Sequence, residues 1–174
     1  MTNVVRTRVR ERGPLQATLS NRVFKAEEDW RDRAFKRAII ILGDEQEWEQ
    51  NKQAKVKWFL NRDADDKMPG VLRDWHVFMQ DIKTHSGAHR HQGGLVIYVI
   101  EGEGYTEVDG IKNEWEAGDV LLLPLKPGGC VHKHFNKHPG QSAVWIAFIY
   151  MPPMDELGKY CEQKELSPDF NPNG

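Results

Sequence analysis

Between residues 74 and 150 the chain is a succession of short segments with apolar alternation, each cut off by glycine, proline or polar turn residues. The segments fall at about 74–84, 95–101, 104–108, 111–116, 120–124, 131–135 and 143–150. Their apolar alternation and turn-bounded spacing are those of half-buried strands. Val108-Asp109-Gly110-Ile111 reads as a tight hairpin, because Asp-Gly accepts the positive φ values such a turn demands. Seven short strands at this spacing predict an all-β barrel or jelly roll.

The flanks read differently. Residues 1–25 hold six Lys/Arg and one acid with no buried-face period, which predicts an extended arm. Residues 26–42 carry acids first and bases later, with Trp30, Ala34 and Ala38 on one side, so a helix is expected there, ending near Gly43. That helix cannot bury Trp30 against itself and is expected to lie on this barrel or on a neighbour's. A further helical turn or two is expected within residues 44–50. Residues 55–61 alternate as a strand, and from Pro152 the chain reads as a turn, a short acidic helix and a loose end. The expected division is 1–54 for arm and helix, 55–151 for the barrel and 152–174 for the tail.

Composition narrows the class of function. At 174 residues the chain suits one domain with a real core. Its 24 Lys+Arg balance 26 Asp+Glu, so no large positive field exists to draw nucleic acid. The apolar runs fall far short of the roughly 20 residues a membrane span requires. The arginine-rich start has no apolar stretch behind it and is not a secretory signal, so a cytoplasmic location is expected. Cys130 and Cys161 are too few for a disulfide framework and are expected as free thiols.

Seven histidines stand at 76, 85, 89, 91, 132, 134 and 138. His89-x-His91 and His132-x-His134 matter most, because side chains two apart on a strand share a face. Two imidazoles from one strand and one from another give three corners of an open coordination site. His76, His85 and His138 fall near segment ends and are expected at the surface.

His89-Arg90-His91, Tyr98-Val99-Ile100-Glu101-Gly102-Glu103-Gly104, Asp109-Gly110, Trp115-Glu116-Ala117-Gly118-Asp119-Val120, Pro127-Gly128-Gly129, His132 and Asn136 follow one another in fixed order. Across residues 75–150 this resembles the two sequence motifs of the cupin superfamily. The resemblance implies a double-stranded β-helix, the jelly-roll barrel already read from the strand pattern. It also implies that His89, His91 and His132 bind a metal, the last supported by the spacing to Asn136. The first motif normally carries a glutamate four residues after its second histidine; here that residue is Leu95. Three neutral histidines remain workable for Fe(II), and three-histidine cupins occur among thiol dioxygenases.

The chain is similar to single-domain cupins of aromatic breakdown, relatives of gentisate and hydroquinone dioxygenases. That similarity implies an Fe(II) dioxygenase taking O2 and a small dihydroxybenzene-type or carboxylic substrate, in a homodimer or beside a larger dioxygenase subunit. A catalytically silent subunit of a two-component hydroquinone-type enzyme, which Leu95 suits, and a small-molecule-binding cupin are the other readings. His134, facing the way of His132, reads as a proton-transfer group, an alternative ligand or a polar filler of the barrel mouth. Cys130 reads as a small buried thiol. Trp75, Phe78, Tyr98 and Phe148 suit either the core or, with Leu95, the wall of an aromatic-substrate pocket.

Overall fold

The computed structural model describes residues 18–64, 67 and 70–171; the arm expected over the first 25 residues lies mostly outside the described part. The chain divides into two units, with the boundary between Arg37 and Ala38. The first holds α1, Leu19–Lys36, which starts earlier and ends earlier than its charge pattern suggests. Thr18 sets the start: its Oγ1 accepts the Asn21 N–H at 3.1 Å. The end precedes Ile39-Ile40-Ile41, where β-branched side chains crowd a helical turn. Along its length Lys25–Asp29 and Asp32–Lys36 pair one turn apart, at 3.0 and 2.8 Å, and no residue of α1 is buried.

Among the described residues the second unit holds eleven strands: β1 Trp48–Gln50, β2 Lys55–Leu60, β3 Trp75–Ile82, β4 His89–His91, β5 Leu95–Glu101, β6 Glu103–Val108, β7 Ile111–Glu116, β8 Val120–Leu123, β9 Cys130–Asn136, β10 Ala143–Tyr150 and β11 Cys161–Gln163. A short 3₁₀ turn spans Arg62–Ala64, and a five-residue helix, α2, spans Pro152–Glu156. A strand stands where residues 44–50 were expected to turn helically. The segments expected at 95–101, 111–116 and 143–150 are found at those bounds.

Two antiparallel sheets result, in the orders β1-β2-β3-β10-β5-β8 and β11-β4-β9-β6-β7. This is the jelly roll, with each inner face drawn from alternate residues. The hairpin at Asp109 (φ 50) and Gly110 (φ 83) joins β6 to β7 as the sequence requires. Gly104 on β6 is fixed by close packing: a Cβ there would lie 2.1 Å from the Phe135 carbonyl oxygen and 2.5 Å from the Trp115 ring. No helix among the described residues is long and apolar enough to cross a membrane.

The two inner faces are chemically unequal. The six-stranded sheet contributes Val56, Phe78, Leu95, Ile97, Trp145, Ala147 and Ile149 to the core, and Met151 and Met154 close that end. The five-stranded sheet contributes His89, His91, Thr106, His132, His134 and Asn136, all buried. Burying so many polar side chains costs free energy unless each finds a partner. Asn136 finds several: its Nδ2 donates to the carbonyls of Ile82 and Gln141, both at 2.8 Å, and its Oδ1 accepts the His138 N–H at 2.8 Å. That residue ties the end of β9 to β3. The histidines are satisfied differently.

Candidate metal centre

β4 is only three residues long, and its alternation decides the site: His89 and His91 turn inward while Arg90 turns out. On β9, Cys130, His132, His134 and Asn136 turn inward while Val131, Lys133 and Phe135 do not. The antiparallel register sets His89 directly across from His132, and His91 across from Cys130. Ring centroids are 4.1 Å apart for His89 and His132, 4.7 Å for His91 and His132, and 5.4 Å for His89 and His91. One ligand nitrogen from each of the three lies within 4.8 Å of the others. One cation can bridge such a set.

The donor chemistry fits a metal. His89 Nδ1 meets the Gly87 carbonyl oxygen at 3.0 Å, so the proton sits on Nδ1 and Nε2 keeps its lone pair. His132 Nε2 is buried with no hydrogen-bond partner, an expensive state for a polar atom that a cation would relieve. His91 Nδ1 accepts the Gly93 N–H at 3.1 Å, which puts the proton of the neutral ring on Nε2; that proton must move before Nε2 can coordinate. Burial keeps all three rings neutral, as ligands must be. It lowers His89, pushes His91 down to about 3, and holds His132 well below the ordinary value.

His134 is the fourth buried imidazole, with its ring 5.6 Å from His132 and 4.8 Å from Trp145. Its Nδ1 lies 2.8 Å from Thr106 Oγ1, which also accepts the Trp115 indole N–H at 3.0 Å. A hydroxyl that accepts from Trp115 is free to donate to His134, leaving the His134 proton on Nε2. Complete burial takes His134 down to about 3, so it too is neutral.

These rings border one cavity of about 640 Å³, whose wall includes Phe78, Gln80, Leu95, Trp145 and Ile149. Phe78 and Leu95, two of the pocket residues expected from the sequence, border this cavity. Trp75, Tyr98 and Phe148 do not border it. Each sits one residue out of phase with an inward neighbour. Trp75 instead packs on Tyr150 at 5.3 Å, and Tyr98 is 44% exposed on the outer face.

Several contributors were missed by sequence reasoning. His76 is not a surface residue: it borders the cavity two places before Phe78, and burial lowers it to about 4. Gln80 and Trp145 were findable by the same parity, as inward partners of Phe78 and Ala147. The tail gave no periodic signal at all. Its β11 pairs with β4, Cys161 across from His91 and Gln163 across from His89, and Lys159, Tyr160 and Phe170 also border the cavity. His85 is half-buried against Phe135, whereas His138 is exposed beside Glu103, as expected. Cys130 is buried and Cys161 exposed, both as free thiols.

Residues 77–149 match the family described as Cupin domain. Among curated proteins, the chain is 36% identical over 87 residues to the 5-aminosalicylate 1,2-dioxygenase of a Comamonas species, a stretch covering 49% of this chain and 22% of that protein. It is 29% identical over 79 residues to the acireductone dioxygenase of Yarrowia lipolytica, covering 42% of this chain and 46% of that one. The matched stretch therefore spans less than half the length of either relative. Among solved structures, a protein with a double-stranded β-helix domain from Klebsiella pneumoniae shares 22% identity and a TM-score of 0.50, over 73% of this chain and 99% of its own. Residues 77–149 thus carry a match to the cupin domain, and the strand order and paired histidine motifs of that stretch agree with it.

Proposed function

We propose that the protein is a non-haem Fe(II) dioxygenase acting on a small hydroxylated aromatic or carboxylic substrate. The observation that carries this reading is the convergence of His89, His91 and His132 at the wall of a largely apolar cavity. Two dioxygenase-named relatives, one named for an aminated hydroxybenzoate, support it.

In this reading His89, His91 and His132 hold the iron, which when bound supplies electrons to O2 and fixes a substrate oxygen. The chain's own groups do the rest. Phe78, Leu95 and Ile149 take the flat face of the ring and exclude water. His134, neutral with its proton on Nε2, donates a hydrogen bond to a substrate oxygen that gains charge, while Thr106 and Trp115 fix its tautomer. A cytoplasmic location and pairing with a second chain belong to the same proposal.

Anaerobic loading with Fe(II), followed by oxygen uptake on a panel of dihydroxybenzenes, tests it. About one iron per chain and oxygen consumption that disappears in His89→Ala are expected. Iron without oxygen uptake on any member of the panel rejects the dioxygenase reading. Leu95 in place of the usual carboxylate favours a second reading, a silent subunit beside a larger partner. A chain that takes up no iron and co-purifies with a larger subunit selects it.

A further inference from the structure

The residues that border the cavity while facing solvent mark its mouth: Gln50, Lys52, Asp63, Lys159, Tyr160 and Cys161. Two of them meet. Lys159 Nζ donates to Asp63 Oδ2 at 2.7 Å, which joins the 3₁₀ turn after β2 to the segment between α2 and β11. A second ion pair joins the same two segments and is built differently. Arg62 holds Asp155 through two contacts, at 2.5 and 2.9 Å, with its own side chain only 16% exposed, and neither residue borders the cavity. That pair is a fixed tie. Lys159–Asp63 is a single contact between side chains 35% and 58% exposed, so it contributes little and breaks readily.

The backbone around Lys159 does not share this freedom. Gly158 and Tyr160 are both bonded to the buried Gln92, and the Tyr160 hydroxyl donates to the Gly128 carbonyl. Only the four-carbon side chain of Lys159 is left to move, which exposed side chains do within nanoseconds. Nor does Asp63 lose its counterpart when Lys159 leaves. The same oxygen, Oδ2, stands 3.6 Å from His76 Nε2, a buried nitrogen with no hydrogen-bond partner among the described residues. Burial keeps His76 neutral, lowering it to about 4, so a ring carrying its proton on Nε2 donates to that oxygen after a shift of about 1 Å.

We propose that Asp63 is a two-position gate at the cavity mouth: paired with Lys159 it narrows the mouth, and turned to His76 it clears it. The orphaned His76 nitrogen is then accounted for, as the partner of the open position. Such a gate acts on rates alone. The fraction of time spent open multiplies entry and exit equally, so it cancels from the affinity. The gate serves whatever molecule uses the cavity; it goes beyond the function proposed above and does not depend on it.

Stopped-flow mixing of the full chain with Co(II), read by the visible absorption of the bound ion, gives the entry rate, and transfer of the loaded chain into excess chelator gives the exit rate. Lys159→Met and Asp63→Asn are each expected to raise both rates about threefold and to leave the dissociation constant unchanged, the size set by one exposed ion pair. The two variants change the charge of the mouth in opposite senses, so simple attraction or repulsion of the cation would move them apart. Wild type in about 0.5 M KCl is expected to reach the variants' rates, because salt screens the pair. His76→Phe, which removes the open partner, is expected to slow both rates about twofold, and His76→Gln, which restores a donor, to return them to the wild-type value. Circular dichroism checks each fold, and the two exposed positions carry the test if His76→Phe misfolds. Entry and exit that move in opposite directions, a changed dissociation constant, or wild-type rates in both Lys159→Met and Asp63→Asn overturn the gate. A chain that takes up no Co(II) rejects the three-histidine reading, and acrylamide quenching of tryptophan fluorescence then reads the gate, since Trp58 and Trp145 border the cavity. Stronger quenching is expected in Lys159→Met and Asp63→Asn, and equal quenching overturns the gate. The expected Co(II) rates without oxygen uptake by the iron-loaded chain reject only the dioxygenase reading.

Discussion

His89 and His132 face each other across the β4–β9 pair with ring centroids 4.1 Å apart, although 43 residues separate them along the chain. The contact is set by backbone register, so any residue placed at 132 inherits the same position. His132→Ala should drop iron content after anaerobic loading from about one per chain to below about a tenth. The fold should persist, because the substitution removes a buried polar atom that had no partner. Elemental analysis alongside far-ultraviolet circular dichroism checks both halves, and full iron retention in the folded variant would mean that His132 is no ligand.

Leu95 is 4% exposed and borders the same cavity as the three histidines. Leu95→Glu should therefore act with opposite signs on two measurements. Without metal, the loss of buried apolar area and the burial of a carboxyl group should cost about 2–4 kcal/mol in urea unfolding. With metal, the added anion should raise divalent-cation affinity at least tenfold in a chelator competition. Unchanged affinity would show that residue 95 does not reach the cation.

Much of this was legible in the sequence where pattern and burial coincide. On β7 and β10 the alternation or apolar run gave the strand bounds directly. On β5 it gave the bounds but not the faces: Leu95-Val96-Ile97-Tyr98-Val99-Ile100 is apolar at every position, so composition does not say which set faces in. Tyr98 went to the wrong face for that reason, and Phe148 on the equally apolar β10 for the same one; Trp75 lies at the start of β3, out of parity with Phe78. β1, β4 and β11 have three residues each, too few for a period; β1 and β4 are held by the longer β2 and β9, and β11 pairs in turn with β4. The two histidine pairs were readable because their spacing of two carries the chemistry along with the geometry. The tail's approach to the site was not, since contact between residues 161 and 91 leaves no local trace.

Acid should weaken the metal-free fold in a defined window. Burial holds His76 at about 4 and His91 and His134 at about 3, all below the ordinary 6.5. Once the pH falls below 6.5 the unfolded chain binds protons on these rings and the folded chain does not, so stability must decline toward low pH. The decline ends only where the folded rings themselves titrate, near pH 3–4. Each neutral ring contributes up to about 1.4 kcal/mol per pH unit across that window. Urea unfolding at pH 7.5, 6.5, 5.5 and 5.0 should give a steep fall below 6.5, made shallower by His134→Gln. A flat profile would mean that the rings are solvated or already protonated in the fold.

Gln92 governs how firmly the tail covers the histidine strand. It is fully buried; its Nε2 donates to the Gly158 carbonyl at 3.0 Å and its Oε1 accepts the Tyr160 N–H at 3.4 Å. Directly beyond these bonds β11 pairs with β4, so His89 and His91 sit on an inner strand only while the tail stays in place. Gln92→Ala removes both bonds and leaves two backbone groups to find water, at a cost of about 1–3 kcal/mol. Because β11 is three residues long, that loss should fall on local opening more than on the whole fold. Hydrogen exchange should speed up at least about tenfold for residues 89–91 and 161–163, with β9 little changed. Iron should leave the loaded variant faster, since the strand that holds two of its three ligands has lost an edge. Unaltered protection at residues 161–163 would show that the tail is held by Lys133–Glu165 and the Tyr160 hydroxyl on Gly128 instead, and that Gln92 is dispensable to the site.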